Sequence, residues 1–220
     1  MPVPKYDLTF RRAEHPINAR TTKFGGLPTW LAETCWPLSR ATRKPMLFVC
    51  QIALDQIEMG NGMVYVFISE DPGGDLQTWL VDGGENAIIV QPGLVSAPHL
   101  PLAVGPYVFT MEGQRLREPV PCEFEVDLTP GADPDMVDLT TLENWTADER
   151  QRYRAALLGT KLCGTPGLLQ HEEPIGAGWT LLAQIDSVRV PFEINFGGCG
   201  VGYVFLSPSG TAGKFFWQDI

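Results

Sequence analysis

The chain has five cysteines and three histidines, the residues best suited to nucleophilic, acid–base or metal chemistry. Nucleophilic catalysis needs a thiol or hydroxyl with a base in reach and a third group orienting that base. Cys199 sits in Phe196-Gly197-Gly198-Cys199-Gly200, a loop that can expose a thiol and gather backbone N–H groups toward an oxyanion. His171, between Gln170 and Glu172, is the base it would need. No nucleophile-elbow sequence accompanies the pair, so a glycine turn with an incidental thiol is favoured. His15, His99 and His171 have no i, i+4 spacing and no neighbouring Cys pair, so neither a metal nor a cofactor is expected. His99, between Pro98 and Leu100-Pro101, reads as a loop residue. No glycine motif of the phosphate-cradling kind opens a helix. With no reaction identified, the sequence leans away from an enzyme.

Two glutamines stand out by position. Gln51 and Gln184 each close an apolar run with Gln-Ile, so both are expected to be buried with their amides bound. They pin neighbouring backbone in the favoured reading. In the alternative they converge with Cys199 and Trp217 on a pocket between two halves of the chain.

Charge gives a third candidate. The net charge is −10, and residues 118–149 contain ten Asp or Glu and no Lys or Arg. In Glu123-Phe124-Glu125-Val126-Asp127-Leu128 the acids alternate with apolar residues, which places Glu123, Glu125 and Asp127 side by side on one strand face. Asp133, Asp135 and Asp138 follow. The Asp/Asn-and-Gly pattern of a calcium loop is missing. Nucleic acid is disfavoured as a partner, because phosphate contacts need a basic footprint. A protein with a basic surface is the partner such a face suits.

The elements that must position these residues are mostly strands. Among 220 residues, 44% are hydrophobic and 19% charged, with 19 Pro and 23 Gly, which fits a folded chain of many short strands. The start, Met1-Pro2-Val3-Pro4-Lys5-Tyr6, has no apolar leader core, and no run suggests a membrane helix. Unpaired thiols then suit a reducing, cytoplasmic setting. Strands are expected at 6–10, 46–52, 63–69, 77–81 and 87–91, with Asn61-Gly62 as a hairpin turn. One helix, about 146–158, starts at the capping box Thr146-Ala147-Asp148-Glu149 and stops before Gly159. Its buried side is read as Tyr153, Ala156 and Leu157.

The chain also repeats itself. Gly26-Leu27-Pro28, Gln51-Ile52 and Tyr65-Val66-Phe67-Ile68-Ser69 recur as Gly164-Thr165-Pro166, Gln184-Ile185 and Tyr203-Val204-Phe205-Leu206-Ser207. A Trp follows each Ser at the same interval, Trp79 and Trp217. This predicts an α+β, β-rich fold: two half-repeats of antiparallel strands, 24–81 and 162–218, sharing one core in a single domain. An acidic insertion, about 118–149, lies between them.

Residues 25–54 (Gly25-Gly26-Leu27-Pro28, Trp36-Pro37, Pro45-Met46-Leu47-Phe48, Gln51-Ile52-Ala53-Leu54) and 164–218 (Trp179-Thr180-Leu181-Leu182-Ala183-Gln184-Ile185-Asp186-Ser187, Gly202-Tyr203-Val204-Phe205, Phe215-Phe216-Trp217-Gln218) together resemble the YwqG-like family of bacterial proteins. The resemblance implies an α+β cytoplasmic fold of no established activity, with some members looking like immunity or toxin-associated proteins. Relatives tend to have Trp/Phe-Gly-Asp-x-Gly where this chain has Phe196-Gly197-Gly198-Cys199-Gly200. The expectation is a non-enzymatic binding module that masks a basic effector, such as a nuclease toxin, through its acids. The alternative is a small-molecule site or enzyme in a cleft between the half-repeats.

Overall fold

Nearly every apolar run becomes a strand, because β-branched and aromatic residues pack well on a pleated surface. The computed structural model describes residues 1–93, 105–114, 116–170, 175, 176 and 178–220. In chain order the strands are β1 (Val3–Arg12), β2 (Lys23–Gly25), β3 (Leu47–Ala53), β4 (Gly62–Ile68), β5 (Asn86–Pro92), β6 (Phe109–Glu112), β7 (Glu118–Pro121), β8 (Glu123–Asp133), β9 (Lys161–Cys163), β10 (Thr180–Asp186), β11 (Val201–Leu206) and β12 (Gly213–Gln218). Helices α1 (Leu139–Glu143) and α2 (Ala147–Leu157) lie between β8 and β9.

Ten strands form one antiparallel sheet in the order β12-β11-β10-β9-β1-β8-β2-β3-β4-β5, and β6-β7 form a separate hairpin. The order is two matching units, β2–β5 and β9–β12, on either side of a β1–β8 ribbon. A bulge recurs at the same place in both units, between Phe48 and Cys50 in β3 and between Leu181 and Ala183 in β10. The two ends of the sheet meet and nearly close it. Trp217 Nε1 donates to Thr78 Oγ1 at 3.0 Å, and Trp79 and Trp217 pack edge to face at 5.8 Å.

Inside the curve, Val64 and Val66 of one unit share a core with Leu182, Ile185 and Val204 of the other, joined by Tyr6, Leu8 and Phe10 of β1. Outside, residues of the stretch 26–46 cover the first unit, and Leu168, Leu169, Ile175 and Trp179 cover the second. Strands covered on both faces read as continuous apolar runs rather than as alternation, which is why β3, β4, β10 and β11 were legible. Only the β1–β8 ribbon alternates, with Asp7, Thr9 and Arg11 facing water beside Thr129, Asp127 and Glu125.

Four expectations change. Residues 77–81 form turns and not a strand, because Leu80 and Val81 serve a connection pinned by the Asn86 side chain to the carbonyls of Thr78 and Leu80. Trp79 lies in that connection while Trp217 lies in β12, so their equal intervals do not make them equivalent. Helix α2 has its capping box, but Ala156 is exposed and only Leu157 is buried. The acidic stretch is no appended insertion either: it supplies β8, which pairs with β1 along its whole length and with β2.

Candidate functional site

Each unit holds one buried lysine and a ring of amides around it. Lys23 and Lys161 begin β2 and β9, and both are 1% exposed. Lys23 Nζ donates to the carbonyls of Ile17 (2.6 Å) and Leu27 (2.7 Å) and to Glu123. Lys161 Nζ donates to the carbonyls of Leu157 (3.0 Å) and Thr165 (2.7 Å) and to Asp133. Burial lowers both ammonium pKa values, and the paired carboxylates oppose that shift.

The glutamines complete the ring. Gln51 Nε2 donates to the Thr21 carbonyl at 2.8 Å, and its Oε1 accepts from Thr29 N at 2.7 Å. Gln184 Nε2 donates to the carbonyls of Leu157 and Gly159, and its Oε1 accepts from Gly167 N at 2.8 Å. Tyr65 and Tyr203, directly across the ladder from these glutamines, donate to the carbonyls of Thr29 and Gly167. Gln91 and Gln218, near the ends of the last strands, accept from backbone N–H of Leu31 and Ala32 and of Leu169 and Gln170. Burial raises both tyrosine pKa values. Every one of these groups is bound to the chain itself, so the rings hold the two outer connections in shape and offer no free donor for chemistry.

Gln51 and Gln184 therefore do not converge. Their amides are bound on the outer side of their own units, and the volume between the units is filled by the shared core. Cys199 is exposed, beside a loop into which Asp219 reaches, with Gly198 N 3.4 Å from Asp219 Oδ2. Its suggested base His171, like His99, lies outside the described residues. Trp217 packs at the closure of the sheet, against Trp79 and Phe196. Among the described residues no group of His, Cys, Asp and Glu could hold a metal ion.

The acids divide. Glu125 and Asp127 are exposed, and Arg11 reaches both, at 3.5 and 3.0 Å. Asp135 takes the Met1 ammonium at 2.7 Å, which holds its carboxyl below the usual range. Asp138 caps α1 by accepting from Thr141 N at 2.8 Å. Two differ from the exposed row read in the sequence. Glu123 is mostly enclosed because it faces Lys23, and Asp133 is fully enclosed between Lys161 and Lys5. A strand end that meets a buried lysine turns its carboxylate inward, whatever the alternation says.

One cavity, of about 470 Å³, opens on the outer face of the second unit. Phe205, Phe216, Trp179, Leu168, Ile175 and Pro166 wall it, and Asp135 stands at its rim. None of Gln51, Gln184, Cys199 or Trp217 lines it.

Sequence reasoning missed the lysines. The signal was present: Thr22-Lys23 and Thr160-Lys161 precede Gly26-Leu27-Pro28 and Gly164-Thr165-Pro166 by the same spacing. The threonines match as well, Thr22 Oγ1 accepting from Ala53 N and Thr160 Oγ1 from Asp186 N, both at 3.0 Å. Residues 22–218 match the model of a family described as a domain of unknown function (DUF1963). No curated protein matches the chain. Among the described residues no helix is long and apolar enough to cross a membrane.

Proposed function

The chain belongs to the DUF1963 family, and on that premise we propose that it is a non-enzymatic protein-binding module that takes a basic partner on its acidic side. Its carrying observation is the distribution of charge along residues 118–149. Eight of the ten carboxylates there (Glu118, Glu125, Asp127, Asp135, Asp138, Glu143, Asp148 and Glu149) are exposed, and the segment contributes no cation of its own. Enclosed Glu123 and Asp133 belong to the frame that carries this face. Complementary charge speeds encounter and sets register, while apolar contact supplies most of the affinity. Exposed Met136 and half-buried Trp145 stand within the same stretch.

The stretches that resemble the YwqG-like family fall inside the matched region, so we take the chain as YwqG-like and its partner as an effector of the nuclease-toxin kind, met in the cytoplasm. The test uses the immobilised full chain against a lysate of its own cells. A basic protein should be retained, with association slowed roughly tenfold between about 0.05 and 0.3 M salt. The Glu125→Lys/Asp127→Lys/Glu143→Lys variant should lose that salt dependence and most of the retention. A partner held equally well by the variant, or no basic partner at all, defeats the proposal.

A further inference from the structure

The two units carry the same ring of amides but differ in what fills the space beside it. In the first unit Trp30 stands seven residues after Lys23. Its indole packs on Tyr65 at 4.5 Å and lies nearly parallel to Phe67, at 6.1 Å and 12°. Trp36 closes the same space, edge-on to Phe67 at 5.4 Å and to Phe48 at 6.4 Å. Trp30 is 1% exposed, and among the described residues its Nε1 has no hydrogen-bond partner, so shape and stacking hold the indole.

In the second unit the same spacing from Lys161 puts Leu168 at the place of Trp30. Strand register puts Tyr203 and Phe205 at the places of Tyr65 and Phe67. The connection 164–179 is shorter than 26–46, and its single Trp, Trp179, precedes β10 as Met46 precedes β3. Neither indole of the first unit has a counterpart in the second. A smaller ring, Phe216 of β12, stacks there instead, on Tyr203 at 5.1 Å and nearly parallel to Phe205 at 5.9 Å and 10°, much as Trp30 meets Tyr65 and Phe67. Leu168 is a smaller plug than Trp30, and the cavity of about 470 Å³ is lined by Leu168 and Phe216. Lys214 sits over the Trp179 ring at 5.1 Å. Among the lining residues the only charged one is Asp135.

We propose that this cavity binds a neutral planar aromatic molecule of indole size beside Leu168 and Phe216. Its volume lies within the range of small-molecule sites. Its aromatic walls favour stacked or edge-on rings. Asp135 at the rim is already paired with the Met1 ammonium, so a neutral ligand suits the cavity. This site is separate from the acidic face and stands without it.

The probe is indole, added to the full chain and followed by NMR. A dissociation constant on the order of 1 mM is expected for so small a ligand. Saturable shifts should appear at Trp179, Phe205 and Ile175, with Trp30 unmoved, and nuclear Overhauser contacts should join indole protons to Phe205. The Leu168→Trp variant supplies the larger plug and should weaken binding at least about tenfold, a step of roughly 1.4 kcal/mol. If Leu168→Trp fails to fold, the Overhauser contacts in the unaltered chain decide. Shifts confined to another surface, such as exposed Trp79, overturn the proposal. So do the absence of saturable shifts or unchanged binding by folded Leu168→Trp.

Discussion

Asp133 and Lys161 show how a few side chains hold this protein together. The carboxylate has no exposed surface, and two lysines face it, Lys161 and Lys5, the latter at 3.3 Å. Lys161 also saturates the carbonyls of Leu157 and Thr165. Removing the lysine leaves a buried carboxylate with only Lys5 and the Thr165 N–H beside it, and takes the ammonium donor from the Thr165 carbonyl, while Gln184 still serves the carbonyl of Leu157. Lys161→Met should therefore cost about 3–5 kcal/mol in urea denaturation, whereas removing both charges together, as Lys161→Met/Asp133→Leu, should cost less than the single change. A single change that costs under about 1 kcal/mol would show the ring to be dispensable. At this scale the sequence was half legible. Gln51 and Gln184 could be singled out because a polar residue inside an apolar run must find partners. Lys23 and Lys161 had only their matching place in the repeat to mark them, because a lysine just before a glycine-x-proline turn looks like a solvated one and lysine is almost never fully buried.

Elements are tied to one another by similar means. Glu85, just before β5, is 5% exposed and binds the connection that covers the first unit. Its carboxylate accepts from Ser39 Oγ (2.7 Å), Ser69 Oγ (2.8 Å) and Ala41 N (2.8 Å). Burial alone would raise its pKa, but these bonds outweigh burial and hold it below the ordinary 4.5. A carboxyl with a depressed folded pKa adds stability above its unfolded pKa, and that stability is lost as pH falls through the folded value. Glu85→Gln should then lower stability at pH 7 by about 1–3 kcal/mol, and the gap to the unaltered chain should shrink as pH falls below about 4.5. A gap that stays constant from pH 7 to pH 3 would place the effect in packing instead. Strands β3, β4, β10 and β11 could be read from their apolar runs, and α2 from its capping box. The turn at 77–81 misled because Trp79, Leu80 and Val81 are apolar for a different reason: they cover the closure of the sheet and do not build a ladder.

For the whole molecule, closure is the feature that local patterns could not announce. The sheet's end strands, β5 and β12, meet through side chains. Gly213 has no room for a Cβ beside Ile88, and Lys214 lies 3.6 Å from Asp82. Trp217→Ala removes the contacts to Trp79 and Phe196 and the bond to Thr78, so it should cost about 2–4 kcal/mol. Amide exchange should rise first in β5 and β12, while β3 and β10 stay protected. Uniform loss of protection across all four strands would show that the seam and the core open as one unit. The two half-repeats were legible because their motifs recur in order. That the acidic stretch and the N-terminal basic stretch become one ribbon was not, since Arg11 meets Glu125 only through pairing across more than a hundred residues, and sequence patterns carry no register at that distance.

That ribbon also sets an order of events as the chain is made. Strand β1 leaves the ribosome well before its partners, β8 and β9. The first unit waits too, because β2 pairs with the far end of β8. Until residues 123–133 emerge, an amphipathic strand with Tyr6, Leu8 and Phe10 on one side must travel unpaired. Synthesis of β8 is thus the moment at which the nascent chain changes from two open edges to a joined sheet. A pause in translation before that point would prolong the exposure of β1, and one after β9 would not.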